Sequence, residues 1–217
     1  FAAVYALQFG LAAAFGAALI VGLIVGAING LVIGYLKLNA IIWTFAMNFI
    51  LTGMVRLIMG GRQIYPEGEW AATFEAIAGY RIFGFIPPVI LMAVFLGFVF
   101  HYIMRHSNFG RDVQLTGSSE QVAEATGVNT GKLILFVFII SSCCTALAGL
   151  TAASSSLGAN YQLGDGKDFD AVTAIVLGGI SLQGGKGFLS GAIGGLLLIS
   201  MIQNIMSNIP GVNNHWQ

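Results

Sequence analysis

The stretch Leu11–Leu36, which reads LAAAFGAALIVGLIVGAINGLVIGYL, decides the fold. It holds no Asp, Glu, Lys or Arg, and no such residue occurs anywhere from Phe1 to Leu36. About 20 apolar residues in a helix are enough to cross the hydrocarbon core of a bilayer. The stretch is therefore predicted to be a membrane-spanning helix, long enough to cross with some tilt.

The composition of the whole chain supports the same interpretation. Of the 217 residues, 57% are hydrophobic and only 8% are charged, whereas soluble domains carry about 25% charged residues. So few polar side chains could not cover a water-soluble globule of this size. A second charge-free run, Leu133–Tyr161, repeats the signal. We expect an all-α fold, a polytopic bundle of transmembrane helices.

Apolar runs separated by polar turns predict about six to seven membrane segments. In chain order these are the end of a span at Phe1–Phe9, spans at Leu11–Leu36, Ile41–Met59, Ile86–Tyr102 and Leu133–Leu150, a short run at Ala171–Leu182, and a span at Phe188–Ser207. The short run has about twelve residues, too few for a full crossing, so it is predicted to be a broken or re-entrant helix. The mixed segment Gln63–Gly84 should lie outside the hydrocarbon and contain a short interfacial helix.

The chain is expected to be one transmembrane domain, 1–217, cut at both ends, because it opens within an apolar run and has no initiator Met. Its orientation follows from Lys and Arg, which are in excess in cytoplasmic loops. The most polar stretch, 105–132, is assigned to the cytoplasm. This places five basic residues inside, namely Lys37, Arg105, Arg111, Lys132 and Lys186. The other four then lie outside, namely Arg56, Arg62, Arg81 and Lys167.

Glycines recur every four residues in the first full span, at Gly22, Gly26, Gly30 and Gly34. Small residues at this spacing line one face of a helix and let a neighbouring backbone approach closely. We interpret the pattern as helix packing within one subunit. A permeation path or an interface between subunits is the alternative.

Four amides lie within apolar spans, at Asn29, Asn48, Gln203 and Asn204. In lipid such groups must find a hydrogen-bond partner or face water. They are interpreted either as interhelical hydrogen bonds or as the lining of a path for an uncharged polar solute. No Asp, Glu or Lys lies centrally in a predicted span, which argues against an ion-driven carrier, although neutral oxygens can also bind sodium.

The cytoplasmic loop 105–132 carries a helix signal. Ser118 is expected to cap a helix, with Gln121 reaching back as in a capping box. Glu120 suits the first turn, and Gly127 suits a left-handed stop. A helix of about two turns is not stable alone. We therefore expect it to dock on another surface.

Several short motifs occur in order along the chain. In the loop they are Phe109-Gly110-Arg111, Gly117, Glu120, Ala123 and Gly127-Val128-Asn129. Elsewhere they are Gly26-Ala27-Ile28-Asn29-Gly30-Leu31, Thr44, Gly60-Gly61-Arg62, the run from Asp170 to Gly179, and Gly184-Gly185-Lys186-Gly187. Together they resemble the permease subunits of the ribose, xylose and galactoside class of bacterial ABC importers. The chain departs from that family at Ser118-Ser119, where Gly-Asn is usual, and at Gln114, where Ala is usual.

The resemblance implies a multi-pass permease in the lipid of the bacterial inner membrane. Its partners would be a second permease copy or homologue, two cytoplasmic ATPase subunits and a periplasmic sugar-binding protein. The implied ATPase-coupling residues are Arg111, Gly117, Glu120, Ala123, Glu124 and Gly127. The candidate translocation path comprises Asn29, Thr44, Asn48, Gln203 and Asn204. The identity of the sugar, and whether the permeases form a homodimer or a heterodimer, stay open.

Other classes of function have weaker support. The segment Gly179–Gly187 lacks the Lys-Ser/Thr order of a P-loop, so ATP hydrolysis is expected on a separate subunit and this chain is not expected to be an enzyme. Neither Cys143-Cys144 nor the histidines have partners at ligand spacing, so no metal or cofactor is expected. Scattered basic residues argue against nucleic-acid binding. The main alternative is an ATP-independent facilitator or an ion-coupled secondary carrier.

Overall fold

A computed structural model describes residues 9–65, 87–182, 184–185 and 187–208, together with Val4 and Phe74. No β-strand occurs among them, and an isolated pair of β-type hydrogen bonds joins Ile64 to Ala159. The chain divides into two compact units. The first comprises Phe1–Phe98 and Val128–Gly164, and the second comprises Val99–Gly127 and Asp165–Gln217.

The described residues form eight helices. In chain order they are α1 (Leu11–Tyr35), α2 (Ala40–Met59), α3 (Pro88–His106), α4 (Asn108–Ser118), α5 (Glu120–Ala125), α6 (Thr130–Ser155), α7 (Lys167–Leu177) and α8 (Leu189–Asn208). Within the described ranges five of these, α1, α2, α3, α6 and α8, are long and apolar enough to cross a membrane. The prediction of an all-α, polytopic helical membrane protein is thereby confirmed.

Two predicted segments lie mainly outside the described residues. These are the end of a span at Phe1–Phe9 and the interfacial segment at Gln63–Gly84. A polar turn separates α1 from α2, as predicted between the spans Leu11–Leu36 and Ile41–Met59, and its last residue, Asn39, is the N-cap of α2. The side chain of Asn39 accepts hydrogen bonds from the backbone nitrogens of Ile41 at 3.0 Å and Ile42 at 3.3 Å. It thereby satisfies donors that have no partner within the first turn of α2.

Helix α6 is longer than predicted at both ends. Asn129 begins it early, accepting a hydrogen bond from the Lys132 backbone nitrogen at 3.0 Å. At the other end the helix continues past Leu150 to Ser155. The polar side chains there do not end it, because they bond to their own helix. Thr151 Oγ1 donates to the carbonyl of Ala148 at 2.8 Å, an arrangement that hydroxyl side chains commonly adopt in helices.

Helix α7 corresponds to the predicted short segment, but it begins four residues earlier and ends five residues earlier than Ala171–Leu182. Gly166 precedes it in a left-handed conformation, and Asp168 lies in its first turn, where a negative charge is favourable. Gly179, with φ of 74°, follows its end. Its 11 residues extend about 16 Å at ~1.5 Å per residue, roughly half of a bilayer core.

In the first unit, α1 and α6 pack with their backbones in direct contact. The four glycines of α1, at Gly22, Gly26, Gly30 and Gly34, are all buried. A β-carbon at Gly26 would lie 2.7 Å from the Cα of Ile139, and one at Gly30 would lie 2.7 Å from the Cα of Leu135. Real side chains do not approach a backbone so closely, so this packing requires glycine.

A buried cluster in the same unit joins α1, α2 and α6 to neighbouring segments. It comprises Val4, Ala14, Ala18, Met59, Phe74, Leu150, Ala153 and Ala159. Phe74 is fully buried, and the hydroxyl of Ser154 donates a hydrogen bond to its carbonyl at 2.7 Å. Ile64 packs against this cluster and is joined to Ala159 by backbone hydrogen bonds in both directions, at 2.9 and 2.8 Å.

Large apolar side chains cover the outside of the long helices. Helix α3 has no buried residue at all, and Phe95 and Phe98 on it are 66% and 71% exposed. A water-soluble protein rarely exposes apolar surface on this scale. Hydrocarbon is the solvent to which such a surface is suited, which agrees with the assignment of α3 as a span.

Candidate functional site

The loop 105–132 is more ordered than the sequence indicated. It contains two helices, α4 and α5, joined by the extended residue Ser119, instead of one short helix between polar arms. Ser107 Oγ donates to the carbonyl of Ile103 at 2.6 Å and accepts from the backbone nitrogen of Gly110 at 3.1 Å. This serine therefore ends α3 and caps α4 with the same hydroxyl.

The predicted cap of the short helix is wrong by one residue. Ser119, not Ser118, is the N-cap of α5, and its hydroxyl accepts from the backbone nitrogen of Val122 at 3.4 Å. Ser118 is the last residue of α4, and its hydroxyl donates to the Gln114 carbonyl at 2.9 Å. Either serine of Ser118-Ser119 could cap α5. Because α4 extends as far as Ser118, the cap is Ser119. Glu120 lies in the first turn of α5, and Gly127 has φ of 87°, as expected.

The six candidate coupling residues all belong to the second compact unit. Arg111 is exposed and donates from Nη2 to Asn108 Oδ1 at 2.9 Å. Glu124 and Gly127 are also exposed, whereas Ala123 is fully buried. Ala123 therefore packs against the rest of the protein and offers no surface for a partner to contact. Gly117 is half-buried, and its backbone touches that of Gly185.

Val122 is a residue of this loop that sequence reasoning missed. It lies on α5 and is 54% exposed. An exposed apolar side chain on a helix of 6 residues is suited to contact another surface, because so short a helix gains little stability by itself. The signal was available, since Val122 and Val128 are the large apolar residues of the stretch 116–129.

The candidate translocation residues are divided between the two units. In the first, Asn29 is buried and its Oδ1 accepts from Trp43 Nε1 at 2.9 Å, which ties α1 to α2. Thr44 Oγ1 donates to the carbonyl of Ala40 within its own helix at 2.8 Å. Asn48 is exposed, and its Oδ1 accepts from Thr52 Oγ1 at 3.2 Å. Each of these polar groups has a hydrogen-bond partner within the protein.

In the second unit, Gln203 and Asn204 are exposed on α8. Gln203 Nε2 donates to Asp170 Oδ1 at 2.9 Å, and Lys167 Nζ lies 3.0 Å from Asp170 Oδ2. The hydrogen bond from Gln203, and then that from Lys167, hold the pKa of Asp170 below its usual value. The ionised carboxylate thus links α7 to α8. Sequence reasoning did not assign Asp170 to a site, because its partners lie on two helices.

No group of three or more His, Cys, Asp or Glu side chains that could hold a metal occurs among the described residues. The glycine-rich segment after α7 connects it to α8, and no strand precedes it within the described ranges. The strand, loop and helix arrangement of a P-loop is therefore not found there.

Comparison with known proteins gives a consistent result. The family described as branched-chain amino acid transport system, permease component, matches residues 1–217. The ribose import permease protein RbsC of Haemophilus influenzae is 31% identical over 182 residues, which are 83% of this chain and 56% of that protein. The L-arabinose transport system permease protein AraH of Escherichia coli is 31% identical over 176 residues, 81% of this chain and 52% of that protein.

A third relative is named for a different solute. The autoinducer 2 import system permease protein LsrC of Yersinia pseudotuberculosis is 34% identical over 198 residues, which are 91% of this chain and 55% of that protein. The chain thus spans about half the length of the curated relatives that it matches. No solved structure matches it.

Proposed function

Because this chain belongs to the family of branched-chain amino acid transport system permease components, we propose that it forms part of the permease subunit of an ATP-driven importer for a monosaccharide. It is a multi-pass protein of the inner membrane. Residues 1–217 belong to a single permease domain, and 105–132 is its cytoplasmic coupling loop. The observation that carries the proposal is the family match over the whole chain.

In this proposal the chain itself performs no covalent chemistry. Cytoplasmic ATPase subunits hydrolyse ATP, a periplasmic binding protein delivers the sugar, and a second permease copy or homologue completes the membrane pathway. The names of the relatives, for ribose, L-arabinose and autoinducer 2, support a small sugar-like solute. Neutral polar groups such as Asn48 and Asn204 suit hydroxyl groups, because an amide can both donate and accept.

Coupling would occur where α5 docks on the ATPase. Helix α5 is capped by Ser119, supported by buried Ala123, and exposes Val122 and Glu124. A pre-formed helix loses little conformational entropy on docking. In such a contact the apolar side chain of Val122 would be buried, and the charge of Glu124 would orient the two partners.

Uptake by the reconstituted complex tests the proposal. The full-length protein would be placed in vesicles with its ATPase and binding-protein partners, and labelled ribose, arabinose, xylose and galactose would be offered. We expect uptake of at least one sugar that requires both ATP and the ATPase. A hydrolysis-deficient ATPase is the control. Sugar flux that persists without any ATPase subunit would contradict the proposal and indicate a facilitator or a secondary carrier.

Replacing Val122 by Asp tests the docking surface. An unpaired carboxylate in an interface loses its hydration, so we expect binding of the ATPase to weaken about tenfold or more. The amount of ATPase that co-purifies at limiting concentration measures the effect. Gln114→Asp adds the same charge on exposed α4 and should retain binding. Equal binding by both variants would argue against docking through α5.

A further inference from the structure

We propose that Gly184 and Gly185, in the glycine loop between α7 and α8, form a second coupling element, which passes displacement of the α4–α5 segment to the α7–α8 pair. The proposal rests on the proposed function and deepens it, since it names the route from the docking helix into the membrane helices. All of the residues involved belong to the second compact unit.

The first step of the argument is a direct contact between backbones. A β-carbon at Gly117, in the last turn of α4, would lie 2.8 Å from the backbone nitrogen of Gly185. A β-carbon at Gly184 would lie 2.5 Å from the carbonyl oxygen of Gly117, and one at Gly185 would overlap Ser118. Where Gly117 meets Gly184 and Gly185 the nearest atoms are backbone atoms, which cannot move aside by a change of rotamer when one segment is displaced.

The second step is that the first residues of the loop are hydrogen-bonded to the end of α7. The backbone nitrogens of Gly178, Gly179 and Ile180 donate to carbonyls in the last turns of that helix, at 2.9 to 3.1 Å. These bonds continue the helix end into the loop. Gly184 and Gly185 follow with φ of 89° and 70°, a conformation that glycine adopts at no steric cost.

The third step is the close packing of α7 against α8. A β-carbon at Gly191 or Gly195 of α8 would overlap the carbonyl oxygens of Gly178 or Ala174. The two helices therefore touch along their backbones, as α1 and α6 do. The hydrogen bond from Gln203 to Asp170 joins α7 and α8 at a second place, near the start of α7. A displacement applied to the connecting loop is thus shared by both helices.

The fourth step concerns the position of the contact. Gly117 and Ser118 end α4, and Ser119 is the single extended residue before α5. A docking force on α5 therefore reaches the glycine contact through one residue. The predicted orientation also puts Lys186 and the loop 105–132 on the same side of the membrane, in agreement with the contact between Gly117 and Gly185.

The contact can be tested with Gly184→Ala, and Gly179→Ala is a matched control. Both glycines have positive φ, 89° and 74°, but a β-carbon at Gly179 meets nothing within 4 Å in the described part of the chain. The two variants therefore share the backbone cost and differ in the contact with Gly117. Gly117→Ala approaches the same contact from α4, where φ is helical. Sugar uptake, ATP hydrolysis and co-purification of the ATPase would be measured for each complex.

We expect Gly184→Ala and Gly117→Ala to bind the ATPase and hydrolyse ATP, while sugar uptake per ATP falls about tenfold, within the range of typical coupling free energies. Gly179→Ala should retain normal uptake per ATP. Normal coupling in the first two variants, or an equal loss in all three, would overturn the proposal. Loss of ATPase binding in the first two would overturn it as well, because the contact would then serve docking. Failure of the unsubstituted complex to use ATP for uptake would refute the proposed function instead.

Discussion

Replacing Phe74 by alanine is expected to be among the most destabilising single changes in this protein, with a cost of about 3–5 kcal/mol in the free energy of unfolding. Phe74 is fully buried in the cluster formed with α1, α2 and α6. Removing its ring leaves a cavity that the surrounding alanines, such as Ala14 and Ala153, are too small to fill. The cost combines lost contacts with the empty volume.

The measurement is the midpoint of heat unfolding of the purified full-length protein in detergent, followed by the loss of monodisperse protein on size-exclusion chromatography. We expect the midpoint to fall by about 10 °C, from the usual relation between unfolding free energy and temperature. Phe95→Ala removes the same ring from α3, where the side chain is 66% exposed, and should change the midpoint little. Equal midpoints for the two variants would contradict the burial of Phe74.

The spans could be predicted from the sequence because their signal is local. Charge-free runs such as Leu11–Leu36 and Leu133–Tyr161 meet the length requirement of a bilayer without any knowledge of tertiary contacts. The ends of the helices were predicted less accurately. In α6, Thr151 and Ser155 look like the start of a polar turn, but their hydroxyls bond to carbonyls of the same helix. A hydroxyl has both options, and only the surrounding packing decides between them.

The candidate site could be predicted in part. The short helix and its left-handed stop at Gly127 were evident from local chemistry, whereas its cap was displaced from Ser118 to Ser119 because α4 precedes it. The contact between Gly117 and Gly185 joins segments that are distant in the chain. Glycine has no side chain that could suggest its partner, so no pattern within either segment reveals such a contact.

Replacing Gly26 by leucine should separate α1 from α6 and prevent the first unit from packing. A β-carbon there would lie 2.7 Å from the Cα of Ile139 and 2.8 Å from the carbonyl oxygen of Phe138. Both obstacles are backbone atoms, so no change of rotamer relieves the overlap. Overpacking typically costs about 1–3 kcal/mol, and a helix displaced along its length should exceed this. We expect little monodisperse protein after extraction.

Gly16→Leu provides the matched control on the same helix. A β-carbon at Gly16 meets nothing within 4 Å among the described residues, so leucine there meets no backbone obstacle of the kind found at Gly26. Leucine is a better helix former than glycine by up to about 1 kcal/mol, so this variant should be as stable as the unsubstituted protein, or more so. The intrinsic preference therefore favours both substitutions, and only the contact with α6 opposes one of them. If the two variants are recovered in equal amounts with equal heat-unfolding midpoints, close packing at Gly26 does not hold α1 to α6.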